Sequence, residues 1–398
     1  MSSPAQKKNN IVHNKAYLTA FAVMIVLIGF SFYIRSRDIS YKKEINQLQS
    51  SRSLLQGEIS ELTKEFDVLK SIDQKVRNDN LENEIKNIED NYRQAVGSFE
   101  ELVKVKELTN DTDKLDKLFA ETLLMLAERN YSSASSNIKS LSNEIQKLRD
   151  KISASFEIPK NVPVNNAPPG GGFSRQTVKA DIGTYLVDII AADLTTTRVI
   201  VDSASDEDCR NDCPVLPLAN YVTRNGGYAG INGSYFCPAS YPSCADKKNS
   251  FNTLLMNKNK KYLNSDNNVY STVPAVIFLG NSVRFVSRSL EWGRDTGNDG
   301  VLANQPLLVM GGNVMFGGDG DPKKGSKGPR NFVANKGSII YIGSVHNATV
   351  AEAARILKTM GMENAINLDS GGSTALYYNG YKLGPGRNIP NAIVFIRR

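Results

Sequence analysis

Histidine is almost missing from this 398-residue chain, which has only His13 and His346. His346 has no second histidine in the C-terminal part to pair with, which argues against a histidine-rich metal site there. A Ser-His-Asp triad would have to use Ser370 or Ser373, and Ser370 lacks the Gly-x-Ser-x-Gly setting of a nucleophile elbow. Long hydrophobic runs are equally scarce. The single example, Ala16 to Ile34, is uncharged and lies between Lys7, Lys8 and Lys15 on one side and Arg35 and Arg37 on the other. It is about the length a helix needs to cross a bilayer, and no small-x-small cleavage site follows it. We therefore expect an uncleaved anchor. The basic residues on its two sides nearly balance, so they do not orient it.

Cysteine is confined to one place: Cys209, Cys213, Cys237 and Cys244 fall within 36 residues. Two disulfides in an oxidising compartment are expected, with three pairings open. Four zinc thiolates are the rival, but the spacing departs from two-residue knuckles. Disulfides place the C-terminal part outside the cytoplasmic membrane and the N-terminus inside.

Charge is uneven as well. Residues 159–398 hold 25 Lys and Arg against 18 Asp and Glu, which accounts for the net charge of +7. An anionic ligand suits that excess better than a cationic one.

The sequence divides into a basic cytoplasmic tail over 1–15, the anchor over 16–34, a helical stalk over 38–156, a linker over 157–172 and a domain over 173–398. In the stalk Leu48, Leu55, Leu62, Leu69 and Val76 recur every seven residues, with Ile45, Ile59 and Phe66 beside them and Arg52 and Asp73 interrupting. That is a coiled-coil seam, and it predicts a homodimer. The phase slips after Val76. A further seam runs through Ile138, Leu141, Ile145, Leu148 and Ile152, with turns expected at Thr109–Asp113 and Asn130–Ser136. An unbroken rod would reach about 180 Å at 1.5 Å per residue. The two breaks point instead to a stalk that partly folds back. In the linker, Pro159, Pro163, Pro168 and Pro169 stiffen the chain and Gly170-Gly171-Gly172 release it.

Beyond the linker, strands are expected at Tyr185–Ile190, Arg198–Asp202, Ala275–Leu279, Val283–Val286, Leu307–Met310 and Ile339–Ile342, with helices at Leu216–Arg224 and Val350–Met360. A mixed sheet with few helices makes an α+β domain. Its most informative segment is Asn367-Leu368-Asp369-Ser370-Gly371-Gly372-Ser373-Thr374. It puts a carboxylate, hydroxyls and paired glycines into a tight turn between two strands, where a ligand can approach the backbone.

Four more segments accompany it: Ala229 to Phe236, Gln305 to Val309, Gly328 to Phe332, and Arg387 to Phe395. In this order and spacing the set resembles the phosphodiester glycosidase family over roughly residues 180–398. The resemblance implies hydrolysis of a sugar-1-phosphodiester without a cofactor or metal. It implies Asp369 at the anomeric centre as nucleophile or general base, Arg330 and Arg387 on phosphate, and Asn232 and Asn391 on sugar or phosphate. Ser370, Gly371, Gly372, Ser373, Thr374 and Tyr235 would line the substrate. Ser370 and Ser234 stand where the family usually has glycine, and Tyr235 where phenylalanine is common. The expected partners are a sugar phosphate or envelope glycan, the membrane and a second copy of the chain, with no nucleic acid. Two other readings are a catalytically silent glycan-binding module and a scaffold whose working part is the coiled coil.

Overall fold

The computed structural model describes residues 6–71, 73–268, 271–294 and 297–398, with the side chains of 6–19, 71, 73, 74, 267 and 268 outside the description. The interruption expected at Asp73 therefore falls outside the described side chains. The chain divides into two units, one ending at Asn87 and one running from Ile88 to Arg398.

The first unit is helical. Helix α1 spans Gln6–Ser71, and α2 begins at Asp73 and ends at Lys106 in the second unit. Within α1 lies a stretch long and apolar enough to cross a membrane by length and composition. The seven-residue seam is solvent-facing in the single chain: Leu48, Leu55, Leu62 and Leu69 are all more than half exposed.

The second unit opens with a helical hairpin. The end of α2 packs on α3 (Asp113–Ala127) and α4 (Tyr131–Ala154). Leu102, Val105, Leu115, Leu141 and Ile145 form one buried cluster, and Ala95, Leu126, Ala134 and Ile138 form another. The seam through Ile138, Leu141 and Ile145 thus finds its partners inside the same chain. The expected turn at Asn130–Ser136 shrinks and moves back to 128–130. Asn130 takes the N-cap by accepting from the Ser133 amide at 3.2 Å, and with the cap in place the serine-rich stretch continues as helix.

The remainder is built from three antiparallel sheets. Strand order in the largest is Gly172–Ala180, Gly183–Asp193, Ile339–Ala348, Gly328–Lys336, Asn364–Asn367, Leu307–Met310 and Asn313–Val314. The second runs Tyr381–Leu383, Leu376–Tyr378, Ala229–Asn232, Asn391–Arg397 and Thr197–Ser203. The third runs Tyr262–Leu263, Leu255–Met256, Gly300–Ala303, Ala275–Leu279 and Ser282–Val286. Strand Gly183–Asp193 is buried on both faces because alternate residues enter different cores. Ile190 and Ala192 join Val201, Ile231, Phe278, Leu302, Ile366 and Phe395 between the sheets, while Val187 and Ile189 face the helix Val350–Thr359. A capping box of Thr349 and Glu352 starts that helix, and Gly361, with φ of 77°, follows its end.

One expectation is corrected at the linker. The glycines do not leave it loose: Gly172 already belongs to the edge strand, and the proline segment lies along that strand. Thr177 donates to Pro163 O at 2.8 Å, Asn165 to Thr177 O at 2.9 Å, and the Gln176 amide to Asn165 O and Ala167 O. An edge strand has free backbone groups, and the linker pairs with them.

Candidate active site

The turn Asp369–Thr374 connects a strand of the largest sheet, Asn364–Asn367, to one of the second, Leu376–Tyr378. It therefore sits where the two sheets meet. Asparagines hold it there. Asn232 is fully buried at the end of Ala229–Asn232; its amide donates to Asp369 O at 2.7 Å, and its Oδ1 accepts from the Asn331 amide at 2.9 Å and the Ala375 N–H at 3.1 Å. Asn331, also buried, donates to Asp369 O at 2.8 Å and to Thr374 Oγ1 at 3.3 Å. The backbone of Asn331 donates to Ser370 Oγ at 3.0 Å. Both ends of the turn are thereby tied to the same two strands, Ala229–Asn232 and Gly328–Lys336. The Oδ1 atoms of Asn331 and Asn367 are buried without a protein partner.

This network holds the backbone carbonyl of Asp369 and does not engage its carboxylate. Asp369 accepts from the Ser370 N–H at 2.9 Å and from the Ser373 hydroxyl, and it keeps part of its surface open. Burial pushes its carboxyl up to about 6, against the opposing pull of Ser373, Arg387 and the Ser370 amide, with the Glu107 charge adding to the rise. A carboxyl that titrates there can work as base or nucleophile near neutral pH.

Arg387 is the cation that faces this turn. Its backbone N–H donates to Gly372 O at 2.8 Å, and its guanidinium lies 5.3 Å from the centre of the Tyr241 ring. The guanidinium also pairs with Glu107, which follows the end of α2. A Cβ on Gly372 would collide with both Arg387 Nη2 and Glu107 Oε2, so glycine is required where the two approach the backbone.

Arg330 is placed differently from the phosphate contact expected of it. Its guanidinium donates to Ala348 O at 2.9 Å, to Lys323 O at 3.0 Å and to Ser326 O. Its donors tie the loop before its own strand to the neighbouring strand, and burial lowers its pKa from the ordinary arginine value. Asn391 is also fully buried: Oδ1 accepts from the Ser234 N–H at 2.9 Å, and the amide donates to Ser234 Oγ at 3.0 Å. Both asparagines expected on substrate, Asn232 and Asn391, thus bond to the protein itself. Tyr235 accepts from the Asn367 amide at 2.6 Å, and burial, then the nearby Asp369 charge, raises its pKa.

The disulfides are Cys209–Cys213 and Cys237–Cys244, which resolves the three pairings. The second encloses the loop that carries Tyr241. His346 lies with its Nε2 2.8 Å from Asp188 Oδ2, and Asp188 also takes two bonds from Arg175, at 2.7 and 2.8 Å. Burial acts to raise Asp188, but His346 and Arg175 outweigh it and hold the carboxyl low. Among the described residues no cluster of three His, Cys, Asp or Glu side chains is set to hold a metal.

Sequence reasoning did not single out Asn331, Tyr241 or Glu107. Asn331 had a signal: asparagine is uncommon inside a strand such as Gly328–Lys336. Glu107 had none, because its position depends on how the hairpin lies against the sheets.

These features define a domain with one elevated carboxyl in an amide-clamped turn beside an arginine. Residues 225–396 match the phosphodiester glycosidase family. Among solved structures it is similar to the catalytic domain of zebrafish N-acetylglucosamine-1-phosphodiester alpha-N-acetylglucosaminidase, auto-inhibited by its pro-peptide. The identity is 14%, over 60% of this chain and 87% of that one, with a TM-score of 0.44. A hypothetical protein from Synechocystis is 13% identical over 58% of this chain and 64% of that one, with a TM-score of 0.40. No curated protein matches the sequence.

Proposed function

We propose that this chain is a membrane-anchored, extracytoplasmic hydrolase that releases a sugar from a sugar-1-phosphodiester, such as an N-acetylglucosamine-1-phosphate ester in an envelope glycan or polymer. The observation that carries the proposal is the Asp369 carboxyl, raised to about 6 in a turn that faces Arg387, within the segment that matches the glycosidase family. Glycosyl transfer to water passes through an oxocarbenium-like state, which a carboxylate beside the anomeric carbon stabilises. A phosphodiester departs as a weakly basic anion, so charge stabilisation can replace a strong general acid. Arg387 supplies it through a planar fork matched to phosphate oxygens.

The remaining roles follow from the contacts. Asp369 acts as nucleophile or general base. Asn232, Asn331 and Ser370 fix the turn that aims it, Asn391 fixes Ser234, and Arg330 holds the adjoining loop. The amides and hydroxyls of Gly371 to Thr374 meet the anion, and Tyr235 borders the sugar. The apolar stretch of α1 anchors the chain, the paired cysteines suit an oxidising compartment, and the exposed seam of α1 joins two copies.

The test is full-length protein in detergent, given a sugar-1-phosphodiester without added cofactor. Free sugar should appear, and Asp369→Asn should stop its release with glycan binding retained. Tight glycan binding with no hydrolysis of any phosphodiester, unaltered by Asp369→Asn, would replace this reading with a binding module.

A further inference from the structure

The hairpin of α2, α3 and α4 places a carboxylate on the groups best suited to hold a phosphate. Glu107 pairs with the Arg387 guanidinium and lies against Gly372, whose backbone amide favours its charge, both at the edge of the Asp369 turn. Both partners are donors to an anion: a cation with a planar fork, and a backbone amide in the 3-10 turn Gly371–Ser373. A phosphodiester oxygen and the Glu107 carboxylate therefore compete for one position.

The attachment of the hairpin to the sheets is mainly polar, with Phe156, just past α4, stacked on His346 at the far end. Ser243 N donates to Glu100 Oε1 at 2.9 Å, Lys104 Nζ lies 5.7 Å from the centre of the Tyr241 ring, and at the far end Ser153 exchanges bonds of 2.7 and 2.9 Å with Asn347. The two buried apolar clusters of the hairpin draw only on residues 95–148, and the four clusters of the sheets only on residues from 173 onward. Lifting the hairpin end away thus breaks ion pairs and hydrogen bonds that water replaces, and leaves both apolar cores whole. Such a contact is built to come apart.

We propose that Glu107 is an internal anion that occupies the phosphate subsite of Arg387 and Gly372, so that the docked hairpin closes the site and a phosphate-bearing substrate must displace it. The proposal relies on the hydrolase reading for the identity of the site, but its test reads anion binding directly.

Calorimetry on the full-length protein in detergent would measure affinity for inorganic phosphate and for a methyl diester of N-acetylglucosamine-1-phosphate. Glu107→Gln keeps the shape and removes the competing charge; it should tighten binding of either or both probes about tenfold, and lower KM by a similar factor wherever the diester is hydrolysed. Tightening for phosphate alone would define a subsite for the free anion, and for the diester alone a subsite that also reads the sugar. Glu100→Ala cuts a tether without touching the subsite and should tighten the same probes by a smaller factor. Tighter binding without hydrolysis would leave the inference standing and remove the hydrolase reading. Unchanged affinity for both probes in both variants would overturn the inference. So would a fall in kcat of a hundredfold or more in Glu107→Gln at unchanged phosphate affinity, because Glu107 would then be a catalytic proton donor.

Discussion

Replacing Asp369 by asparagine should stabilise the fold while stopping the chemistry. The carboxyl is raised from 3.8 to about 6 by burial, and each unit of difference is worth about 1.36 kcal/mol, so the ionised form costs the folded state up to about 3 kcal/mol. The folded state holds this proton more tightly than the unfolded state does. The cost is therefore absent below about pH 4, grows as pH rises between about 4 and 6, and is complete above that. Asparagine carries no such cost and keeps an oxygen to accept from Ser370 and Ser373. Denaturant unfolding can be followed by the fluorescence of Trp292, the only tryptophan and a buried one. The stability difference between Asp369→Asn and the parent should be near zero at pH 4 and approach about 3 kcal/mol at pH 8. In the parent, kcat/KM should rise with pH through a midpoint near 6, as a base or nucleophile requires. A stability difference that stays flat with pH, or a destabilised variant, would refute the assignment of a costly ionised carboxylate.

Three further outcomes follow from the contacts. Arg387→Lys should lower kcat/KM for the phosphodiester by ~10²-fold, since lysine loses the two-point contact, whereas Arg330→Lys should cost about 1–3 kcal/mol of stability by freeing carbonyls and change phosphate affinity less; steady-state kinetics and chemical denaturation separate the two. Asn331→Ala leaves Asn232 Oδ1 and Asp369 O short of a donor, so unfolding curves should show a loss of about 2–3 kcal/mol along with lower turnover. Lysine at Leu55 and Leu62 puts charge into the exposed seam of α1, and sedimentation in detergent should show the proposed dimer of the parent and a monomer of the variant.

The strands at Ala275–Leu279 and Leu307–Met310, and the helix from Val350, were legible because their apolar spacing, caps and turn residues agree. The turn at Asp369 was legible as a site from its paired glycines. What periodicity could not give was the direction of each polar side chain. Arg330 sits in a recognisable segment, yet its fork serves the carbonyls of Lys323, Ser326 and Ala348. Asn232 and Asn391 read as substrate contacts and turn out to be bonded across strands that the sequence does not place side by side. The seam at Ile138, Leu141 and Ile145 looked the same as the one in α1, although it is satisfied within the chain.

Strand Asn391–Arg397 lies inside the second sheet, between Ala229–Asn232 and Thr197–Ser203. Its two neighbours are made early and it is made late, so a growing chain holds Asn232 and the cysteines long before Asn391 can set Ser234. Until residues 391–397 arrive, Thr197–Ser203 and Ala229–Asn232 have no strand between them, and Val394 and Phe395 are missing from the cores they fill. The surroundings of the site are therefore complete only once this strand has been inserted. A chain without residues 391–397 would keep Asp369 and Arg387 in its sequence but would lack the inner strand that brings their surroundings into register.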